Sequence, residues 1–236
     1  MKRVLLFDID GTLVSTGAGR RALERSLGDH LGAARALAPG ETWLAGMRLD
    51  GMTDRLIVRE ALLALGLAYD AALCARVLAG YVAHLREEIQ GPGYRVLPGV
   101  AALLPRLAAA GALVGLCTGN LAEGARVKLA RGALDHHFGF EPPGVYGFAE
   151  DAEAREEIVA AALRRASARL GRTVRPEEAL VVGDTPRDVT AARACGVATL
   201  AVATGRFTAA ELLEAGAAHA VASLDAPEAL RILLCD

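Results

Sequence analysis

Apolar and polar positions along the chain fall into two rhythms. Val4 to Phe7 is an unbroken apolar run, the pattern of a short strand buried on both faces. It stops at Asp8 and Asp10, one residue apart. From Arg20 the period becomes helical: Ala22, Leu23, Leu27 and Leu31 form a stripe against Arg21, Glu24, Arg25 and Asp29. Pro39-Gly40 breaks that stripe, and Trp43 to Asp50 carries no assignable pattern. Thr53-Asp54 reads as a helix start, followed by apolar positions at Leu56, Ile57, Ala61, Leu62 and Leu65. Gly66 ends it, and a further helix is predicted from about Asp70 to Ile89. Residues 15–92 therefore read as all-helical, with no strand between the helices.

After the linker Gln90-Gly91-Pro92-Gly93 the rhythm changes to alternating strand and helix. Ala112 to Cys117, Ala179 to Val182 and Ala198 to Val202 are short apolar strands. Val145-Tyr146 and Ala220-Val221 are brief ones, and a helix is predicted over Asp151 to Leu170. The expected fold is a doubly wound, Rossmann-like α/β core with a parallel sheet. It takes residues 1–14 and 93–236, with the helical stretch 15–92 inserted after the first strand.

Composition narrows the picture. The 236 residues are 53% hydrophobic, enough for a large core, while the net charge of −2 and 4% aromatics give no nucleic-acid signature. Cys74, Cys117, Cys195 and Cys235 are scattered, without metal-ligand spacing, and read as free thiols in a reducing cytoplasm. Asp8 and Asp10 interrupt the one segment that begins like a signal peptide, and no apolar run is long enough to span a membrane. A soluble cytoplasmic protein without a membrane partner is expected, either monomer or homodimer. Lys2 and Lys128 are the only lysines.

Three predicted strands end in polar residues: Asp8 and Asp10, Thr118-Gly119-Asn120, and Gly183-Asp184. In a parallel sheet these carboxyl ends share one edge, where ligands bind. Two carboxylates on one crevice repel unless a cation relieves them, and aspartate oxygen suits Mg²⁺. Gly11 supplies the sharp turn. A short hydroxyl at a strand tip, with the Asn120 amide beyond it, can hold a phosphoryl oxygen. The free N–H groups of the next helix would favour an anion.

The string Phe7-Asp8-Ile9-Asp10-Gly11-Thr12-Leu13 resembles the first motif of the haloacid dehalogenase-like hydrolases, the aspartate-nucleophile phosphatases. Leu116-Cys117-Thr118-Gly119-Asn120 resembles the second motif, and Gly183-Asp184-Thr185-Pro186-Arg187-Asp188 the fourth. The third departs: the usual lysine is missing from Phe148 to Glu157. Arg155 is the positional match, its other reading being a surface partner of Asp151 four residues back. Lys128 lies too early in motif order and reads as a surface residue. The resemblance is closest to the phosphoglycolate-phosphatase-like branch. It makes the insert a cap, and Gly51-Met52-Thr53-Asp54 is similar to a Gly-x-Thr-Asp segment frequent there. Thr53-Asp54 reads equally as a plain helix cap. Arg20 and Arg48 are candidates for a substrate anion, or solvated surface.

The resemblance implies hydrolysis of a small phosphorylated metabolite through an aspartyl-phosphate on Asp8, with Asp10 moving the proton. It implies Mg²⁺ held by Asp8, the Asp10 carbonyl and Asp184, with Asp188 supporting those ligands or simply capping its helix. Thr118, Gly119 and Arg155 would stabilise charge on the transferring group. A dehalogenase would not need Asp10, and a Schiff-base phosphonatase needs a cap lysine that residues 15–92 lack. A phosphomutase with the same core motifs stays open. A non-catalytic binding protein would be signalled by loss of Asp8, which is present.

Overall fold

The computed structural model describes residues 3–33, 36–44 and 46–235, without the side chain of Cys235. In chain order the elements are β1 (Val4–Phe7), β2 (Val14–Ser15), α1 (Ala18–Leu31), α2 (Asp54–Ala64), α3 (Ala71–Glu88) and β3 (Arg95–Val96). Then come α4 (Val100–Ala109), β4 (Leu113–Cys117), α5 (Ala122–Arg131), β5 (Tyr146–Gly147), α6 (Arg155–Leu170) and β6 (Ala179–Gly183). α7 (Pro186–Ala194), β7 (Ala198–Val202), α8 (Ala209–Glu214), β8 (His219–Val221) and α9 (Pro227–Cys235) complete the chain.

A parallel sheet of order β5-β4-β1-β6-β7-β8 carries the core. β1 lies between β4 and β6, with Val4 opposite both Leu113 and Ala179. Its alternate residues feed opposite layers. Leu5 and Phe7 pack with Leu103, Leu107, Leu129 and Leu233, from α4, α5 and α9. Val4 and Leu6 pack with Ile158, Val159, Ala191 and Ala192, from α6 and α7. Burial on both faces explains why the strand reads as an unbroken apolar run.

Between β2 and β3, α1, α2 and α3 gather a separate apolar cluster that includes Leu23, Leu27, Ile57, Leu62, Val77 and Leu85. α1 and α3 approach closely: the Ser26 hydroxyl donates to the Val77 carbonyl at 2.6 Å, and a Cβ on Gly80 would sit 2.5 Å from Ser26 Oγ. In the segment from Trp43 to Asp50 neither helix nor strand forms among the described residues. The Glu24 carboxylate pins it by accepting from the Trp43 and Leu44 N–H groups at 2.7 and 3.1 Å, which seats Leu44 in the cluster.

Three elements differ from expectation. β2 and β3 form an antiparallel ribbon, so the two connections between core and insert run side by side. Two residues per strand are too few for a period. α6 starts at Arg155, not Asp151. The Asp151 carboxylate instead closes a turn by accepting from the Phe148 N–H at 3.0 Å, and it pairs with Arg165 at 2.7 Å. No helix among the described residues is long and apolar enough to cross a membrane.

Candidate active site

β1, β4 and β6 end together, and their tips floor a cavity of about 690 Å³ roofed by the helical insert. Asp8, Asp10, Thr118, Gly119, Asn120, Arg155 and Asp184 all line it, as do Arg20, Arg48 and Asp54 from the insert. After β1 the chain turns back tightly, with the Gly11 N–H donating to the Val14 carbonyl at 2.8 Å. Gly11 adopts φ +82°, and a Cβ there would lie 2.2 Å from Asp184 Oδ2. Only glycine satisfies both demands. Gly205 abuts the same carboxylate, 1.8 Å from a built Cβ.

Asp8 is buried, and its Oδ1 lies 2.9 Å from an Arg155 guanidinium nitrogen. Burial pushes its carboxyl up to about 6; Arg155 and the Thr118 hydroxyl oppose the rise, while Asp188 and Asp10 add to it. Burial also holds Asp184 well above the usual carboxylate range, helped by Asp188 and Asp8. A 3.4 Å contact from the Thr12 hydroxyl reaches Asp184 Oδ1.

Carboxylate oxygens of Asp8, Asp184 and Asp188 lie within 4.8 Å of one another. Asp188 is already committed. Its Oδ1 accepts from Arg155 Nε at 2.8 Å and from Nη2; its Oδ2 accepts from the Thr185 N–H and hydroxyl at 3.0 and 2.7 Å. The Thr185–Asp188 pair is a capping box for α7. Asp8 and Asp184 are thus the side chains able to hold a metal ion. The residues present fit one: among the described residues the buried Asp8, Asp184 and Asp188 have one ion-pairing cation between them, Arg155, which leaves two negative charges when all three are ionised.

Lys128 corrects the sequence reading. It is 3% exposed rather than on the surface, and its Nζ lies 2.6 Å from Asp10 Oδ2 while also donating to Asn120 Oδ1. Burial would lower the ammonium pKa, but Asp10, Tyr81 and Asp54 reverse this and hold it above its usual value. The signal was in the helical period. Ala125, Lys128 and Leu129 share one face of α5, and that face is buried. Arg155 is no surface partner of Asp151 either: it is 8% exposed, and Asp151 pairs with Arg165.

Asn120 lines the cavity and is tied to its neighbours. Its amide nitrogen donates to Asp10 Oδ2 at 2.9 Å and to Thr118 Oγ1 at 2.8 Å. The start of α5 is not open to an anion as expected. Asp54 accepts from the Leu121 N–H at 2.8 Å, and Glu150 from the Ala122 N–H at 2.9 Å. Thr53 caps α2 by accepting from the Leu56 N–H at 3.2 Å. Asp54 is buried, its carboxyl pushed up to about 7 by desolvation against the pull of Lys128. Both residues dock the insert on the core. The Asp54 N–H donates to the Gly119 carbonyl at 2.7 Å, and a Cβ on Gly119 would meet the Met52 carbonyl at 2.4 Å. Arg20 spends one guanidinium N–H on the Met47 carbonyl at 2.6 Å. Arg206, from the loop after β7, also reaches the cavity.

The family model for haloacid dehalogenase-like hydrolases matches residues 2–196. The chain belongs to the haloacid dehalogenase-like hydrolases. A phosphoglycolate phosphatase of Rhodospirillum rubrum is 36% identical over 211 residues, covering 87% of this chain and 81% of that protein. One from Mesorhizobium japonicum is 29% identical over 206 residues, covering 84% and 82%. A predicted phosphatase from Clostridium acetobutylicum shares the fold, with TM-score 0.68 at 20% identity over 99% of both chains. This haloacid dehalogenase-like hydrolase is therefore a phosphatase, of the phosphoglycolate-phosphatase-like branch.

Proposed function

We propose that the enzyme hydrolyses a small phosphomonoester, of the size and charge of phosphoglycolate, by a Mg²⁺-dependent route through an aspartyl-phosphate on Asp8. The observation that carries this is the meeting of Asp8, Asp10, Thr118, Arg155 and Asp184 on one cavity floor. The names of the relatives support the substrate class. The cavity also carries Arg20, Arg48 and Arg206, which suit a substrate bearing a second anionic group.

Asp8, the Asp10 carbonyl and Asp184 would hold Mg²⁺, which offsets the charge that Asp8 and a phosphate dianion bring together. Asp188 sets the guanidinium of Arg155, and Arg155 in turn fixes the rotamer of Asp8. In the first step an Asp8 oxygen bonds to phosphorus, and the ester P–O bond breaks with its electron pair leaving on the alkoxide oxygen. Asp10 gives that oxygen a proton. In the second, Asp10 takes a proton from the water that bonds to phosphorus, and the P–O bond to Asp8 breaks. Arg155 and Thr118 stabilise charge on the transferring group. The insert acts as a cap that excludes bulk water. The reaction is assigned to the cytoplasm, where the unpaired Cys74, Cys117 and Cys195 would stay reduced.

Phosphate release from a panel of small phosphate esters, phosphoglycolate among them, with and without Mg²⁺, tests the assignment. Metal-dependent release of inorganic phosphate from at least one such ester is expected. Equal turnover after full chelation would refute the mechanism, and isomerised phosphoester without phosphate release would make the enzyme a mutase.

A further inference from the structure

We propose that Lys128 is the positioning residue for the acid–base carboxylate, and that the helical insert completes its pocket. The proposal rests on the reading of Asp10 as proton donor and acceptor. Lys128 Nζ and Asn120 Nδ2 both donate to Oδ2 of Asp10, at 2.6 and 2.9 Å. Lys128 also holds the Asn120 carbonyl oxygen, so the amide is fixed in the orientation that points its nitrogen at Asp10. Among the described residues no hydrogen-bond donor reaches Oδ1 of Asp10, so that oxygen is the one free to carry the proton.

The other contacts of Lys128 come from the insert. The Tyr81 hydroxyl, on α3, flanks Gly19 beside the ammonium, 3.8 Å from a Cβ built there against 3.6 Å for Lys128 Nζ, and the carboxylate of Asp54, on α2, faces the same charge. Tyr81 is fully buried. The anchor of Asp10 is therefore walled partly by the core and partly by the insert, and it is complete only when the two are docked. The two cations paired with the strand-tip aspartates divide the work. Arg155 serves Asp8, the atom donor to phosphorus; Lys128 serves Asp10, the proton carrier. In this proposal Lys128 acts by fixing Asp10, directly and through the Asn120 amide.

This division has a signature that general loss of structure lacks. An alkyl phosphate needs a proton on its leaving oxygen, whereas p-nitrophenyl phosphate does not. Both need Asp10 again when water attacks the phosphoenzyme. Lys128→Met, with Mg²⁺ present, should lose on the order of 10²-fold in kcat on alkyl phosphates, the low end of a general acid–base contribution. On p-nitrophenyl phosphate it should show a near wild-type burst of one nitrophenol per enzyme, then slow release of phosphate. An equal loss of burst rate and alkyl turnover, or no loss, would overturn the proposal. Tyr81→Phe decides the matter if Lys128→Met does not fold: a smaller loss confined to the proton-requiring steps supports the proposal, and an even loss or none contradicts it. Asp10→Asn is the control. If it lacks the split, the acid–base reading of Asp10 falls; if it shows the split and Lys128→Met does not, the Lys128 proposal alone fails.

Discussion

Arg155 stands between two carboxylates, 2.9 Å from Oδ1 of Asp8 and in a buried ion pair with Asp188. Its charge is held beside Asp8 by a second acid from another strand–helix turn.

Removing that guanidinium should cost activity and stability together. Arg155→Ala is expected to lose about 10²-fold or more in kcat. It also leaves Asp188 a buried, unpaired charge, which costs about 3–5 kcal/mol. Arg155→Lys keeps the charge but cannot span Asp8 and Asp188 at once, so it should restore part of the stability and little of the rate. Thermal melts and steady-state kinetics on the same preparations check both.

Metal removal should abolish turnover reversibly. Chelation followed by Mg²⁺ is expected to restore it, and Mg²⁺ should raise the melting temperature of the wild type as any native-state ligand does. Asp184→Asn should blunt that rise, because it removes one of the clustered carboxylates that would hold the ion. An unchanged Mg²⁺-induced rise in the variant would move the metal elsewhere.

Asp54 gives a pH dependence of stability. Its carboxyl titrates near 7 in the fold, above its unfolded value, because it is buried. The folded state then binds the extra proton, so this group's contribution falls as pH rises from about 4 to 7. Asp54→Asn keeps an acceptor for the Leu121 N–H and carries no charge. Its melting temperature should match the wild type near pH 4 and exceed it by pH 7.5. Melts across that range should show the gap widening with pH; a gap that narrows would contradict the assignment.

Gly119→Ala tests the docking of the insert. The new Cβ would collide with the Met52 carbonyl, which is backbone and cannot swing aside. The insert must shift, and a displacement of that kind costs on the order of 10²-fold in rate. The core should still melt cooperatively. Wild-type kinetics would mean that insert docking does not shape the site.

The three strand tips are legible because a buried strand announces itself locally, and each apolar run ends abruptly in polar residues. What stayed hidden is non-local. The N–H groups that seemed free at the start of α5 are taken by Asp54 and Glu150, 67 and 28 residues away in sequence. Motif order makes Lys128 a surface residue, while its spacing from Ala125 and Leu129 puts it on the buried face. Arg155 had two readings, and only the turn closed by Asp151 separates them. β2 and β3 are too short for any period to report.

The covalent role of Asp8 is tested most directly by acid-quenching the enzyme during turnover and mapping the phosphoryl group by peptide mass spectrometry. One phosphoryl group on Asp8 is expected, absent from Asp8→Asn and from enzyme quenched without substrate. Turnover that proceeds with Asp8 unmodified, or a phosphoryl group on another residue, would contradict it.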